Sequence, residues 1–295
     1  MNEKHSRLIT RRQAIVSMAA VSGAALIKPS SIFCSPVDNK LRFAVIGDFG
    51  TGDHDETGTA RQMFAAHQRT PFDFIIAAGD NVYPNGGGRH FTRNFEQPFA
   101  DLLGARVKFH AVLGNHDVDE GRQDQRQYPL FNMGGENFYK FERGGGLSEF
   151  FMLDSTDFDS TQATWLENSL KASKAKWKIA VFHHPIYSSG KKHGSAVGLR
   201  KQLEPIFTRY GVHVAFSGHD HIYERTKPQH GIQYFVTGAG GKTRRGDIDL
   251  KSDFREKSFD EDNHFMVIEV DDKQVSFQAI SETGAIVDNG AIKQS

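Results

Sequence analysis

Leu41-Arg42-Phe43-Ala44-Val45-Ile46-Gly47-Asp48-Phe49-Gly50 runs an apolar strand directly into a glycine and a carboxylate. The same grammar recurs down the chain. Residues 72–78 lead into Gly79-Asp80-Asn81-Val82-Tyr83, and residues 107–113 into Gly114-Asn115-His116-Asp117. Residues 177–182 lead into His183-His184-Pro185, and residues 212–217 into Gly218-His219-Asp220-His221. Each apolar run has strand length, and the glycine after it lets the backbone turn sharply without a Cβ clash. Open α/β sheets gather their ligands just beyond the C-terminal ends of such strands. The polar residues found there supply carboxylates, an amide oxygen, imidazoles and a phenol, more than one metal ion needs. Two cations held side by side by hard oxygen and nitrogen ligands are a device for attacking phosphate esters.

Between these strands the apolar spacing becomes helical. Ala60, Met63, Phe64 and His67 mark one helix, Ala163, Leu166 and Leu170 a second, and Leu199, Leu203, Ile206 and Tyr210 a third. Residues 137–141, 147–154, 232–237, 264–270 and 275–280 read as strands without intervening helices, which predicts a more antiparallel sheet from the later half. The fold class is α/β: a four-layer α/β/β/α sandwich of two mixed β-sheets flanked by helices.

Nothing in the 295 residues resembles an interdomain linker, so residues 39–295 are expected to form a single catalytic domain. The 36 basic and 36 acidic side chains balance to a formal charge of zero. That balance argues against a stable nucleic-acid partner or a charged membrane surface, and an anionic substrate must be attracted locally. The single cysteine, Cys34, excludes an internal disulfide. Residues 1–38 read as an export signal: Lys4 and Arg7 precede Thr10-Arg11-Arg12-Gln13, then an uncharged run from Ala14 to Ile27, then Pro29. That run is short of the roughly 20 residues a spanning helix needs. The adjacent arginines predict the twin-arginine export machinery as a partner and a periplasmic or secreted protein, with no membrane association after signal removal.

The five blocks, in this order, resemble the metallophosphoesterase superfamily. Tyr83 makes the chain similar to a purple acid phosphatase of the small, tartrate-resistant type, here as a bacterial member. The resemblance extends over essentially the whole chain after the signal. It implies one metal at Asp48, Asp80, Tyr83 and His221, and a second at Asp80, Asn115, His183 and His219, with Asp80 bridging. His183 is taken as the ligand of its pair because the family places one two residues before Pro185; His184 is left to packing or support. The implied cofactor is a binuclear centre of Fe(III) plus a divalent ion, Zn, Fe or Mn. A phenolate at Tyr83 offsets the extra charge of a trivalent ion, so the net charge of the centre matches that of two divalent ions with a neutral phenol. A trivalent ion also acidifies bound water more strongly, which is the physical case for an acid optimum.

The resemblance therefore implies an acid phosphatase that hydrolyses small phosphate monoesters by attack of a metal-bound hydroxide. A phosphodiesterase or nucleotide hydrolase on the same site is the alternative, and an iron-dependent redox or metal-binding protein is the remote one. His116 is the expected catalytic histidine near the leaving group, and His193 matches a family histidine that lines the substrate pocket; either can serve as general acid. Asp117 is assigned the orienting of His116. With only residues 154–161 between a strand and the next helix, activation by proteolytic cleavage is not expected. Gly240-Gly241-Lys242-Thr243 is similar to a phosphate-binding loop, but Val236 stands where its first glycine belongs, and it is assigned nothing.

Overall fold

The computed structural model describes residues 40–294; the export signal predicted over residues 1–38 lies outside them. Strand β1 (Leu41–Ile46) shows why a layer packs against each of its faces. Its side chains alternate, so Phe43 and Val45 enter one apolar core while Ala44 and Ile46 enter another. Helix α1 (His54–Arg69) returns the chain to β2 (Phe74–Ala77), and the short α2 (Ala100–Gly104) precedes β3 (Lys108–Ala111). These three strands pair in parallel.

The short α3 (Arg122–Gln127) leads to the hairpin β4 (Tyr139–Arg143) and β5 (Ser148–Met152). Then α4 (Ser160–Ala172), β6 (Trp177–Val181), α5 (Val197–Tyr210) and β7 (Val214–Ser217) repeat the strand–helix alternation. The remaining strands are β8 (Tyr223–Thr226), β9 (Gln233–Thr237), β10 (Arg255–Phe259), β11 (His264–Val270), β12 (Gln274–Ser281) and β13 (Ile286–Lys293).

Two mixed sheets result, ordered β13-β12-β11-β1-β2-β3 and β10-β8-β9-β7-β6-β5-β4. The core between them joins Phe43, Val45, Phe74 and Ile76 of the first to Phe150, Ile179, Val214 and Phe216 of the second. Phe43 stacks on Phe74 with ring centres 5.3 Å apart and meets Phe150 edge-on at 5.1 Å. Such aromatic pairs add about 0.5–1.5 kcal/mol each beyond their buried area. On the outer face of the first sheet α1 buries Ala60, Met63 and Ala66 against Ile46, Ile75 and Ala77. On the outer face of the second, Leu166, Leu170, Leu203 and Phe207 of α4 and α5 cover Phe151, Ala180 and Ala215. This is the α/β/β/α sandwich that the sequence predicts.

The later half departs from expectation in one respect. Its strands do not form one antiparallel sheet. β11, β12 and β13 extend the first sheet antiparallel beyond β1. The second sheet is parallel through β5, β6, β7 and β9, and antiparallel only at its margins. The consequence for function is geometric: β1, β2, β3, β6 and β7 all point their C-terminal ends at one place.

Candidate metal centre

The turns after these strands have an unusual backbone. Asp48, Asp80 and His219 all take left-handed φ values, 55°, 49° and 70°. That region is costly for residues other than glycine and persists where surrounding structure enforces it, often at functional sites. Two glycines make the close approach possible. A Cβ on Gly114 would lie 2.2 Å from both the backbone nitrogen and Oδ1 of Asp80, and one on Gly218 would lie 2.3 Å from Asp48 Oδ2.

The side chains fall into two donor sets that share Asp80. In the first, Tyr83 Oη lies 3.0 Å from Asp80 Oδ2, 3.4 Å from Asp48 Oδ1 and 3.3 Å from His221 Nε2. In the second, His183 Nε2 lies 3.1 Å from Asn115 Oδ1 and 3.5 Å from Asp80 Oδ1. His219 packs its ring 5.1 Å from that of His183. Ligating atoms of Asp48, Asp80 and His183 lie within 4.8 Å of one another, as do those of His183, His184 and His219.

Backbone groups hold these atoms in place. The Ala78 carbonyl, 3.0 Å from His183 Nδ1, must accept its proton, so the neutral ring presents Nε2 as a lone pair. The His219 amide donates to Asp48 Oδ2 at 2.8 Å and turns Oδ1 toward Tyr83. The His116 amide donates to Asp80 Oδ1 at 2.9 Å.

The electrostatics of this pocket are unbalanced without a cation. Burial, then the neighbouring Asp80, pushes the Asp48 carboxyl well up, and burial also raises Asp80. Burial, then His184, pushes His183 well below its ordinary value, and burial with the Arg244 and Lys242 charges takes His221 down to about 3. Burial beside Asp48 and Asp80 raises the Tyr83 phenol. Acids reluctant to ionise and imidazoles reluctant to protonate are what remain when oxygen and nitrogen donors converge in a buried place. Hard and borderline cations suit this donor set, and Asp80 offers one oxygen to each group.

His116 and His193 border the same cleft, about 530 Å3 in volume, with Asp80, Tyr83, Asn115, His219 and His221. The His116 Nδ1 lies 2.7 Å from the Pro84 carbonyl, which again makes it the protonated nitrogen and leaves Nε2 for the cleft. The His193 ring packs 4.2 Å from that of His219.

Asp117 does not orient His116. Its fully buried carboxylate accepts from the backbone of Asn81, Val82 and Gly114 and from the Gln125 side chain, binding the loops after β2 and β3 together. The Pro84 carbonyl takes the orienting part instead. His184 is more closely involved than the sequence suggested, its Nδ1 3.0 Å from Ser155 Oγ and its ring 4.5 Å from that of His219. Ser155 Oγ also accepts from the backbone nitrogens of His183 and His184 at 3.1 and 2.9 Å. No local motif marks Gln125 or the Pro84 carbonyl, and Ser155 meets His184 only across 29 residues of sequence.

The calcineurin-like phosphoesterase family model matches residues 41–223. Purple acid phosphatase 17 of Arabidopsis thaliana is 33% identical over 242 residues, 72% of this chain and 71% of that protein. Tartrate-resistant acid phosphatase type 5 of Rattus norvegicus is 30% identical over 253 residues, 73% of this chain and 77% of that protein. A solved structure of GAP50, the anchor in the inner membrane complex of Plasmodium, superposes with a TM-score of 0.76 at 20% identity, covering 87% of this chain and 89% of that one. That last likeness concerns the fold alone.

Proposed function

The chain belongs to the calcineurin-like phosphoesterase family, and from that premise we propose that it is an exported acid phosphatase of the purple type, acting on small phosphate monoesters. It is a metal-dependent phosphoric ester hydrolase. The observation that carries the finer reading is the position of Asp80, with Oδ2 at Tyr83 and Oδ1 toward His183. One carboxylate thereby faces both donor sets, as a ligand shared by two cations would have to.

In this reading Asp48, Asp80, Tyr83 and His221 would hold Fe(III), and Asp80, Asn115, His183 and His219 would hold Zn, Fe or Mn. When bound, the two ions supply Lewis-acid charge at phosphorus and an acidified water for in-line displacement. The chain's own part is positioning and proton transfer. The Ala78 carbonyl holds the His183 tautomer, and the Pro84 carbonyl holds that of His116. As an imidazolium, with Nδ1–H still held by the Pro84 carbonyl, His116 gives its Nε2 proton to the leaving oxygen as the P–O bond to the alcohol breaks, while His193 contacts the same group across the cleft.

Release of phosphate from an aryl monoester and the matching diester, from pH 4 to 9, tests the reading, with Asp80→Asn as control. Monoester turnover that peaks on the acid side and vanishes in the control is expected. A diester preference would move the function to a phosphodiesterase, and no turnover of either would leave an iron-dependent redox or metal-binding role standing. Iron loading gives a separate readout: the visible charge-transfer absorption expected of a phenolate–Fe(III) pair should be lost in Tyr83→Phe.

A further inference from the structure

The cleft also carries positive charge that internal acids leave largely uncompensated. Lys242, Thr243 and Arg244 line it beside Asp80, Tyr83 and His221. Among the described residues the Lys242 ammonium has neither a carboxylate partner nor a hydrogen bond. The Arg244 guanidinium has only Asp247, at 3.6 Å, and its Nη1 is buried without a hydrogen-bond acceptor. The acids that border the cleft are already engaged. Asp53 caps α1 through the amides of Asp55 and Glu56, and Asp55 pairs with His54 at 2.6 Å.

The loop that carries the two cations is held firmly to the donor sets. Gly240 N donates to the Gly47 carbonyl at 2.9 Å, Gly241 N to Asp48 at 3.1 Å, and Arg244 N to His221 at 3.0 Å. A Cβ on Gly241 would lie 2.2 Å from the Phe49 carbonyl, so the glycine is what permits this contact. The amides of Gly240, Gly241 and Arg244 are spent on the fold, whereas the long cationic side chains of Lys242 and Arg244 extend from it along the cleft. The whole chain has a formal charge of zero, so this local excess is not a by-product of a basic composition.

We propose that Lys242 and Arg244 form an anion subsite for a second negative group on the substrate, which rests on the phosphatase reading above. The substrate class is then a phosphate monoester whose alcohol also bears a carboxylate or a further phosphate. A cleft of about 530 Å3 is far larger than a phosphoryl group, so the alcohol lies inside it within reach of this loop. Charge-assisted hydrogen bonds of this kind discriminate by about tenfold or more when partly shielded from water.

Three monoesters of one chain length test the subsite: propyl phosphate, 3-aminopropyl phosphate and the phosphate ester of 3-hydroxypropionate. Phosphate release should show kcat/KM highest for the carboxylated ester and lowest for the amine, by about tenfold between neighbours, mainly through KM. The preference should shrink as salt is raised. Lys242→Gln and Arg244→Gln should each reduce the ratio of carboxylated to neutral ester, and Arg244→Lys should restore part of it. Calorimetric binding of 4-phosphonobutyrate against butylphosphonate should give the same order without turnover. Hydrolysis of all three esters with no charge preference overturns the subsite alone. An equal fall for both esters in the variants also overturns it, by assigning the cations to the transferred phosphoryl group. Failure to hydrolyse any ester sinks the phosphatase reading and the subsite with it.

Discussion

Glu56 sits in the first turn of α1 with Oε2 accepting from the Gly52 amide at 2.6 Å and Oε1 buried without a partner. Burial is the main cause that pushes its carboxyl from 4.5 up to about 9, with Asp53 adding to it. Between those values the native state binds the proton that the unfolded chain releases. The stabilising contribution is therefore complete below about pH 4.5 and is lost as pH rises toward about 9. Glu56→Gln keeps an acceptor for Gly52 and removes the ionisation. It should raise thermal stability by about 1–3 kcal/mol at pH 8 and by almost nothing at pH 4.5. Melting curves at the two pH values check this, and an equal difference at both would contradict it. Glu56 was invisible to sequence reading because its character comes from burial, not from a motif. Asp48, Asp80 and His219 were legible for the opposite reason. Each directly follows a glycine at the end of an apolar run, and the side chain's place follows from the turn. Asp117 ends a block of the same kind, and its place does not follow from the turn. Its partners Asn81 and Gln125 hold it from 36 and 8 residues away, which no local pattern discloses.

At the scale of elements, the strand–turn junctions are the parts that cannot be altered freely. Gly114 follows β3 and stands where any side chain would strike the Asp80 backbone and carboxylate at 2.2 Å. Gly114→Ala should therefore displace the Asp80 carboxylate and weaken cation uptake about 10- to 100-fold. A suitable control is Gly104 at the end of α2, where an added Cβ meets nothing within 4 Å. Metal titration followed by calorimetry should separate the two variants, and comparable affinity in both would remove the steric account. The parallel strands behind these junctions were easy to read, since burial on both faces makes them unbroken apolar runs. β8, β10 and β13 were not. β8 is Tyr-Glu-Arg-Thr, with Arg225 paired to Asp288 at 2.7 Å, and β10 and β13 lie at sheet edges with partly exposed residues. Their strand state comes from pairing with neighbours, and their own composition does not declare it.

The whole molecule joins regions that the local patterns keep apart. The family match ends at residue 223, yet the sheets do not close there. β9 lies between β7 and β8 in the second sheet, and β11 pairs with β1 in the first over Leu41 to Val45. Met266 and Ile268 of β11 pack in the same core as Phe43, Phe150 and Phe216. The loop with Lys242 and Arg244 also lies beyond that limit, between β9 and β10, although it lines the cleft that the earlier loops build. Removing several fully buried side chains of this size costs about 2–5 kcal/mol each, against a total stability of about 5–15 kcal/mol for a typical domain. A chain of residues 40–223 should consequently lack a cooperative thermal transition and expose the edge of β1 to aggregation. Circular dichroism melting and size-exclusion chromatography of that chain beside residues 40–294 provide the comparison. A soluble, cooperatively melting 40–223 chain would mean that the later strands are accessory; loss of the transition would make them part of what holds Asp48 in place.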